Sequence, residues 1–410
     1  MVSLTRLVLF AVILLPMTSS AADLTFDVTG AADWDSNVFR RDNNSNGNRN
    51  IEDDFLFRLR PGVRLHEDRG QDFDYSAKYT LPLEVAVEHS QLDDIDHMFD
   101  GSTTYHPSDR TEIYASNAFR YLRSTLVNSI DRFGNVEQGR DRVTTNDATL
   151  GAHYQVSPRL RVNTAATHRL FRTTRADRQD NQSASGGVDT YYTLSARHQA
   201  GLGARYIFQH FQESRFVGRN DAHSVNIYAQ WKWQLDKVTA FDAAVGPTII
   251  SIEQDIAGAQ GNHDQSVDVF ASAGITRRWT PTIRTGAKYE RTQGVASGVG
   301  GSVIVDSVTG TANWDFRERW EAILRGDFVR RESVTDVGTQ NTTLDSEVKS
   351  DRWSVSLEVA HWLKRKTRIF GKVRYNDQTS KGNSLAGASD FEDWIISFGM
   401  YHTFEPIKLW

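Results

Sequence analysis

The sequence reads as an all-β chain: a transmembrane antiparallel up-and-down β-barrel of about 18 strands, with short periplasmic turns and long extracellular loops. Three observations carry that expectation. Apolar residues take every second place through most of the chain. The connections between these stretches alternate between short and long. The first residues have the build of an export signal.

The export signal comes first in the chain. Arg6 supplies a positive charge, Leu7 to Leu15 an apolar run and Pro16 a break. TSSAAD then offers small residues suited to cleavage after Ala21 or Ala22. Residues 1–22 are therefore expected to be a secretory signal peptide and 23–410 a single barrel. No later stretch approaches the ~18–20 apolar residues of a spanning helix. The chain has no cysteine, which excludes disulfides and thiolate metal sites and suits an oxidising compartment. A formal charge of −5 argues against a nucleic-acid partner.

The strands follow. In FLFRLRPGVRLHE (55–67), Phe55, Phe57, Leu59, Val63 and Leu65 share one face, and Arg58, Arg60, Arg64 and His66 the other. Side chains of a strand point alternately to its two faces, so this run is greasy on one side and cationic on the other. The same alternation sets Tyr75, Ala77 and Tyr79 against Asp74, Ser76 and Lys78. It sets Leu160, Val162 and Leu170 against Arg159, Arg161 and Arg169, and Trp353, Val355 and Leu357 against Ser354, Ser356 and Glu358. In SVNIYAQWKWQL, Val225, Ile227, Trp231 and Trp233 oppose Asn226, Tyr228, Gln230 and Lys232. Strands of ~11–15 residues at ~3.3 Å per residue, tilted ~40°, span ~28–38 Å, enough for an apolar band ~25 Å tall.

The connections sort the ends. HPSD (106–109), VSPR (156–159), LDKV (235–238) and WTPT (279–282) are tight, whereas TLVNSIDRFGNVEQGRDR and VTDVGTQNTTLDSEV are long and polar. An even strand number puts both chain ends on the short-turn side. A soluble sandwich shares the period but turns its apolar face inward, with strands averaging ~5–6 residues. Trp231, Trp233, Trp279, Trp314, Trp320 and Trp362 lie beside short turns, where an interfacial aromatic girdle is expected.

ADWDSNVFR (32–40) near the mature N-terminus and the closing FGMYHTFEPIKLW (398–410), with the strand plan, resemble the β-barrel porin 2 family. The resemblance rests on Trp34, Asp35, Ser36, Asn37, Val38 and Phe39 and on the last strand. It implies an outer-membrane protein of an exopolysaccharide biosynthesis or export system, with polysaccharide and periplasmic export components as partners. The last strand also looks like a signal for the barrel-assembly machinery. Ser397, Gly399 and Phe404 match its polar, glycine and aromatic places, His402 departs from it, and Phe404 or Trp410 is the recognised aromatic.

Chemistry is sparse. The histidines form no metal-ligand motif, no phosphate loop is present, and His153 and His168 are expected on opposite faces. The expectation is no enzyme, no cofactor and no metal. DNNSNGNRNIED (42–53) places Asp42, Asn44, Asn46, Gly47 and Asp53 at calcium-loop positions, but it lacks flanking helices and reads as a solvated loop. The third long loop, with Leu126, Val127, Ile130 and Phe133, is apolar enough to tuck into a pore.

The lumen face carries the functional reading. Pore-lining candidates are Arg58, Arg60, Arg64, Lys78, Arg120, Arg159, Arg161, Arg169, Tyr228, Lys232, Arg284, Arg325, Lys372 and Arg374. Acids interleave, including Asp74, Glu84, Asp147, Asp268, Asp327 and Glu358. Rings of fixed cations favour anions, because a low-dielectric wall focuses their field. The competing reading is a set of ion pairs that stiffens the wall and selects nothing. Arg58, Arg60 and Arg64 with Arg159 and Arg161 form the leading candidate patch, and Tyr114, Tyr228 and Phe270 are candidates for stacking on sugar rings. The function expected is passage of hydrophilic, anionic solute, as conduit or accessory in exopolysaccharide export. The alternatives are a general or substrate-specific diffusion porin, or a closed barrel serving as a structural or adhesive surface.

Overall fold

The computed structural model describes residues 22–39, 51–68, 72–123, 142–174, 180–212, 220–254, 262–296, 301–333, 349–381 and 390–409. Strands β1 (Asp23–Asp35), β2 (Asp54–Asp68), β3 (Phe73–Thr80), β4 (Leu83–Ala86), β5 (Asp94–Ile95), β6 (His97–Ser108) and β7 (Thr111–Arg123) begin the wall. It continues with β8 (Arg142–Ser157), β9 (Leu160–Thr173), β10 (Asn181–Ser195), β11 (His198–Phe211), β12 (Asn220–Gln234), β13 (Thr239–Gln254) and β14 (Asn262–Arg278). It ends with β15 (Ile283–Ala296), β16 (Gly301–Arg317), β17 (Trp320–Ser333), β18 (Lys349–Lys364), β19 (Thr367–Lys381), β20 (Phe391–Thr403) and the short β21 (Ile407–Lys408).

Consecutive strands pair antiparallel, and β20 pairs back onto β1 from Asp27–Thr403 to Asp35–Ile395. The result is a closed, 18-stranded antiparallel barrel. β3 and β4 are one stave interrupted at Leu81 and Pro82, because proline has no amide to give the ladder. β5 and β6 meet at Asp96, whose N–H reaches the Pro82 carbonyl at 2.9 Å, so the register survives the break. Closure is what a membrane demands: lipid offers no hydrogen bonds, and a ring of strands leaves no open edge.

The two faces fall as the alternation predicts. Phe55, Phe57, Leu59, Leu202, Val267 and Phe398 are all exposed on the outer surface. Lipid-facing aromatics form two levels. Trp231, Trp233, Trp279, Trp314 and Trp320 stand at the short-turn end, and Trp353 and Trp394 near the other. Trp362 departs from the expected girdle. It pairs with Arg368, on the inner face, and the guanidinium stands 5.9 Å from its ring centre. The bulge at Trp362–Lys364 occurs where the strand meets its turn.

Both described ends of the chain lie at the short-turn end. Ala22, the last residue of the expected signal, accepts a hydrogen bond from the Leu409 amide at 2.9 Å. The rest of that signal lies outside the described residues. β20 continues past Phe404, whose amide bonds the Phe26 carbonyl, into β21, which pairs with Asp23 and Leu24. At the loop end the WDSNV segment clips the seam. Ser36 exchanges hydrogen bonds with the Trp394 backbone at 2.9 and 2.8 Å, and Asn37 Nδ2 donates to the Glu392 carbonyl. Val38 packs there with Leu56, Ala86 and Leu92.

One pair of staves parts. β14 stays on β13 as far as Asn262, and β15 stays on β16 as far as Ala296. Between them the ladder runs only from Arg278–Arg284 to Ala271–Arg291.

Candidate functional site

The sequence-predicted cations fall into three groups. Most are paired along the wall. Arg58 is buried, with Asp33 and Glu84 both bonded to its guanidinium, the Glu84 contact at 2.7 Å. Lys78 meets Asp27 at 2.8 Å, and Arg325 binds Asp327 through two nitrogens at 2.7 and 3.0 Å. Arg120 pairs with Asp100 and Arg169 with Asp147. Apart from Arg325–Asp327, which lies within β17, these are contacts between neighbouring or next-neighbouring staves, so much of the interleaved acid stiffens the wall.

A second group points inward without a carboxylate partner. Among the described residues Arg60, Arg64, Arg161, Lys232 and Arg284 make no ion pair. Lys232 and Arg161 instead approach the Tyr191 ring, at 4.1 and 5.5 Å from its centre. Arg159 belongs to neither group. It sits, exposed, in the two-residue turn before β9, because that strand begins at Leu160. Its assignment to the lumen wall is thus corrected.

The third group surrounds a cavity of about 300 Å³ at the closing seam. Its wall is Asp33 from β1, Arg58 and Arg60 from β2, Glu358 from β18, and Arg368, Lys372 and Arg374 from β19, with Ser397 and Tyr401 from β20. Arg368 is held by Glu321 and by Glu358 at 3.1 Å, while Lys372 stands 3.9 Å from Glu358. Five cations thus face two carboxylates on the lining. Arg60 and Lys372 are the two whose charge is least compensated, and both line the same cavity.

This grouping differs from the expected one. Arg58 and Arg60 are not joined by Arg161, because β2 pairs with β1, β3 and β4 while β9 pairs with β8 and β10. Lys372 and Arg374 join them instead. Asp33 and Arg368 were not among the candidates, and the signal that could have found them is closure itself. In a ring the last strand must sit beside the first.

The aromatic candidates are inside but are not a platform. Tyr228 and Phe270 are buried against each other with ring centres 4.8 Å apart. The Tyr228 hydroxyl donates to Asp189 at 2.7 Å, and its ring lies over Gly203, where any Cβ would come within 2.3 Å of it. Both rings are spent on the wall, so the stacking role assigned to them is withdrawn. Tyr114 lies inside beside His153, 5.0 Å between centres. His153 bonds Asn163 at 2.9 Å, whereas His168 pairs with Ala148 on the outward face, so the two do not share a surface.

Two expectations fall largely on residues outside the described set: the apolar third loop, and the calcium-like loop apart from its last residues. Of the latter, Asp53 accepts a hydrogen bond from Trp34 Nε1 at 3.1 Å.

No family model matches the sequence, and no curated protein matches it. Among solved structures, the siderophore receptor PiuA from Acinetobacter baumannii is similar at 9% identity and a TM-score of 0.49, over 94% of this chain and 82% of that one. OpdL of Pseudomonas aeruginosa is similar at 12% identity and a TM-score of 0.42, over 95% and 99%. OpdK of the same organism, solved with vanillate, is similar at 8% identity and a TM-score of 0.45, over 93% and 99%.

Proposed function

We propose that this protein is an outer-membrane channel for hydrophilic anionic solute. The observation that carries the reading is the seam cavity, where five cations meet four carboxylates inside a low-dielectric wall, Asp33 and Glu358 on the lining and Glu84 and Glu321 bound to Arg58 and Arg368. Such an excess attracts anions into the lumen and raises their local concentration. An acidic exopolysaccharide is the substrate we favour. That choice rests on the WDSNVF segment and the terminal strand, and it makes a polysaccharide-synthesis system the partner.

Planar-bilayer recording tests the channel. With a salt gradient across the wild-type barrel, the reversal potential should show anion preference. R60Q/K372Q should lower that preference, because it removes the least compensated cations while leaving the Arg58 and Arg368 pairs in place. Unchanged selectivity in the double variant would remove the seam cavity from the pathway.

A closed barrel serving as a surface protein is the second reading. What favours it is the loop end of the lumen, where inward side chains such as Val305, Ile250, Arg331 and Arg352 are almost wholly buried.

A further inference from the structure

The parting of β14 from β15 and the sealing of the loop end belong together. Above Ala271 and Arg291 the loop-end part of β14 and the loop-end part of β15 have no ladder partner on their facing edges among the described strands. Bare strand edges in a barrel wall are costly in lipid and adhesive in water, so something must set where these two go.

β15 and β16 have gone inward, and the loop end of β17 with them, because β16 stays laddered to β17 as far as Ser333. Ile304 faces outward by the alternation of its strand, since its neighbours in phase, Val308 and Trp314, are exposed to lipid. Yet Ile304 packs against Ala222, Ile250 and Ile252, which line the inner face of β12 and β13. An outer face can meet an inner face only if the hairpin arm has crossed into the lumen. Its other face is buried too: Val303 and Val305 are sealed with Val329. Gln293, on β15, is 5% exposed. The hinge is marked by charge. Arg291, the last paired residue, reaches Asp306 at 2.7 Å on its own hairpin and Asp268 at 3.1 Å on the β14 edge it has left.

We propose that the described loop-end half of the β15–β16 hairpin, residues 292–296 and 301–306, is a gate. In the position seen here it closes the lumen by packing on β12 and β13. Swinging outward about Arg291, with the loop end of β17 still laddered to β16, it re-pairs with β14 in the register already set below. Thr292 then faces Phe270 and Gln293 faces Val269. Each position satisfies what the other gives up: apolar burial of Ile304 on Ile250 and Ile252 inside, ladder hydrogen bonds to β14 outside. The Arg291–Asp268 pair belongs to the inward position, because in the re-paired register Arg291 lies beside Ala271 on the face opposite Asp268. Two packings of similar free energy are what a switch requires. The proposal rests on the channel reading, since a gate needs a pathway.

The chain has no cysteine, so introduced pairs are its only thiols. V269C/Q293C should form a disulfide only when β15 re-pairs with β14. I250C/I304C should form one only in the inward position. Folding of each variant is checked by resistance of the barrel to detergent denaturation. Oxidised V269C/Q293C should show a severalfold higher single-channel conductance, reversed by dithiothreitol. Oxidised I250C/I304C should fall to or below the reduced level. If V269C/Q293C folds but never cross-links, or cross-links without raising conductance, the gate is refuted. Anion selectivity measured on the reduced proteins reports on the channel separately, so a failed gate leaves that result standing.

Discussion

Strand β17 contains the difference between the two halves of this barrel. Its inward residues are, from turn end to loop end, Glu321, Ile323, Arg325, Asp327, Val329 and Arg331. The Arg325 side chain is 47% exposed, but Val329 and Arg331 are each 2% exposed. The same pattern recurs around the ring: Arg64, Arg284 and Lys288 are wet near the turns, whereas Ile250, Ser350, Arg352 and Gln378 are sealed near the loops. One alternating code therefore serves two surroundings. At the turn end an inward residue is solvated by lumen water, and a charge there costs little. At the loop end it is part of a packed interior, and a charge there must be held.

That contrast can be broken in several ways. The largest effect is expected at Arg58, whose buried guanidinium is bonded to two buried carboxylates. R58A leaves Asp33 and Glu84 without their cation and should cost about 3–5 kcal/mol, read as a lower urea midpoint in detergent micelles. R325A breaks a pair in the wet half and should cost less than ~1 kcal/mol by the same measurement. Equal losses at the two positions would dissolve the distinction between the halves. The packing of the sealed half is probed by I250A, which removes a wholly buried side chain against Ile304 and should cost about 2–5 kcal/mol. It should also raise the fraction of time the channel conducts, if the hairpin is the gate.

The smallest effect belongs to the turn end. Asp236 lies in the turn between β12 and β13. It accepts hydrogen bonds from the Val238 and Thr239 amides, both at 2.7 Å. These bonds, with Val238 the larger influence, hold its carboxyl below the ordinary 3.8. A lowered value means the carboxylate stabilises the turn above its ordinary pKa and loses that contribution as pH falls through the lowered one. D236N should melt slightly earlier than wild type at neutral pH, and the gap should close on acidification.

Much of this was legible in the residues. The inward place of Arg58, the outward place of Phe57 and the short turn in LDKV (235–238) all follow from period two and turn chemistry, which are local, whereas the turn expected at HQAG (198–201) falls two residues earlier, at Ala196–Arg197. Errors arose where neighbours in space were not neighbours in sequence. Arg60 was grouped with Arg161 for want of knowing that β19 stands beside β20 and β20 beside β1. Tyr228 looked like a stacking surface because nothing in SVNIYAQW announces that Phe270 and Gly203 will cover it. Trp362 looked like a girdle residue because it stands beside a turn, although its place in phase with Ser356 and Glu358 puts it inside.

The sequence by itself determined the membrane-crossing ring and which face of each stave meets lipid. A strand has only two faces, and hydrocarbon accepts only one of them. Tertiary structure alone decided which cations share the seam cavity and that the β15–β16 hairpin lies inside. Both depend on closure and on the competition between ladder pairing and apolar burial across the lumen, and neither is written within any single strand.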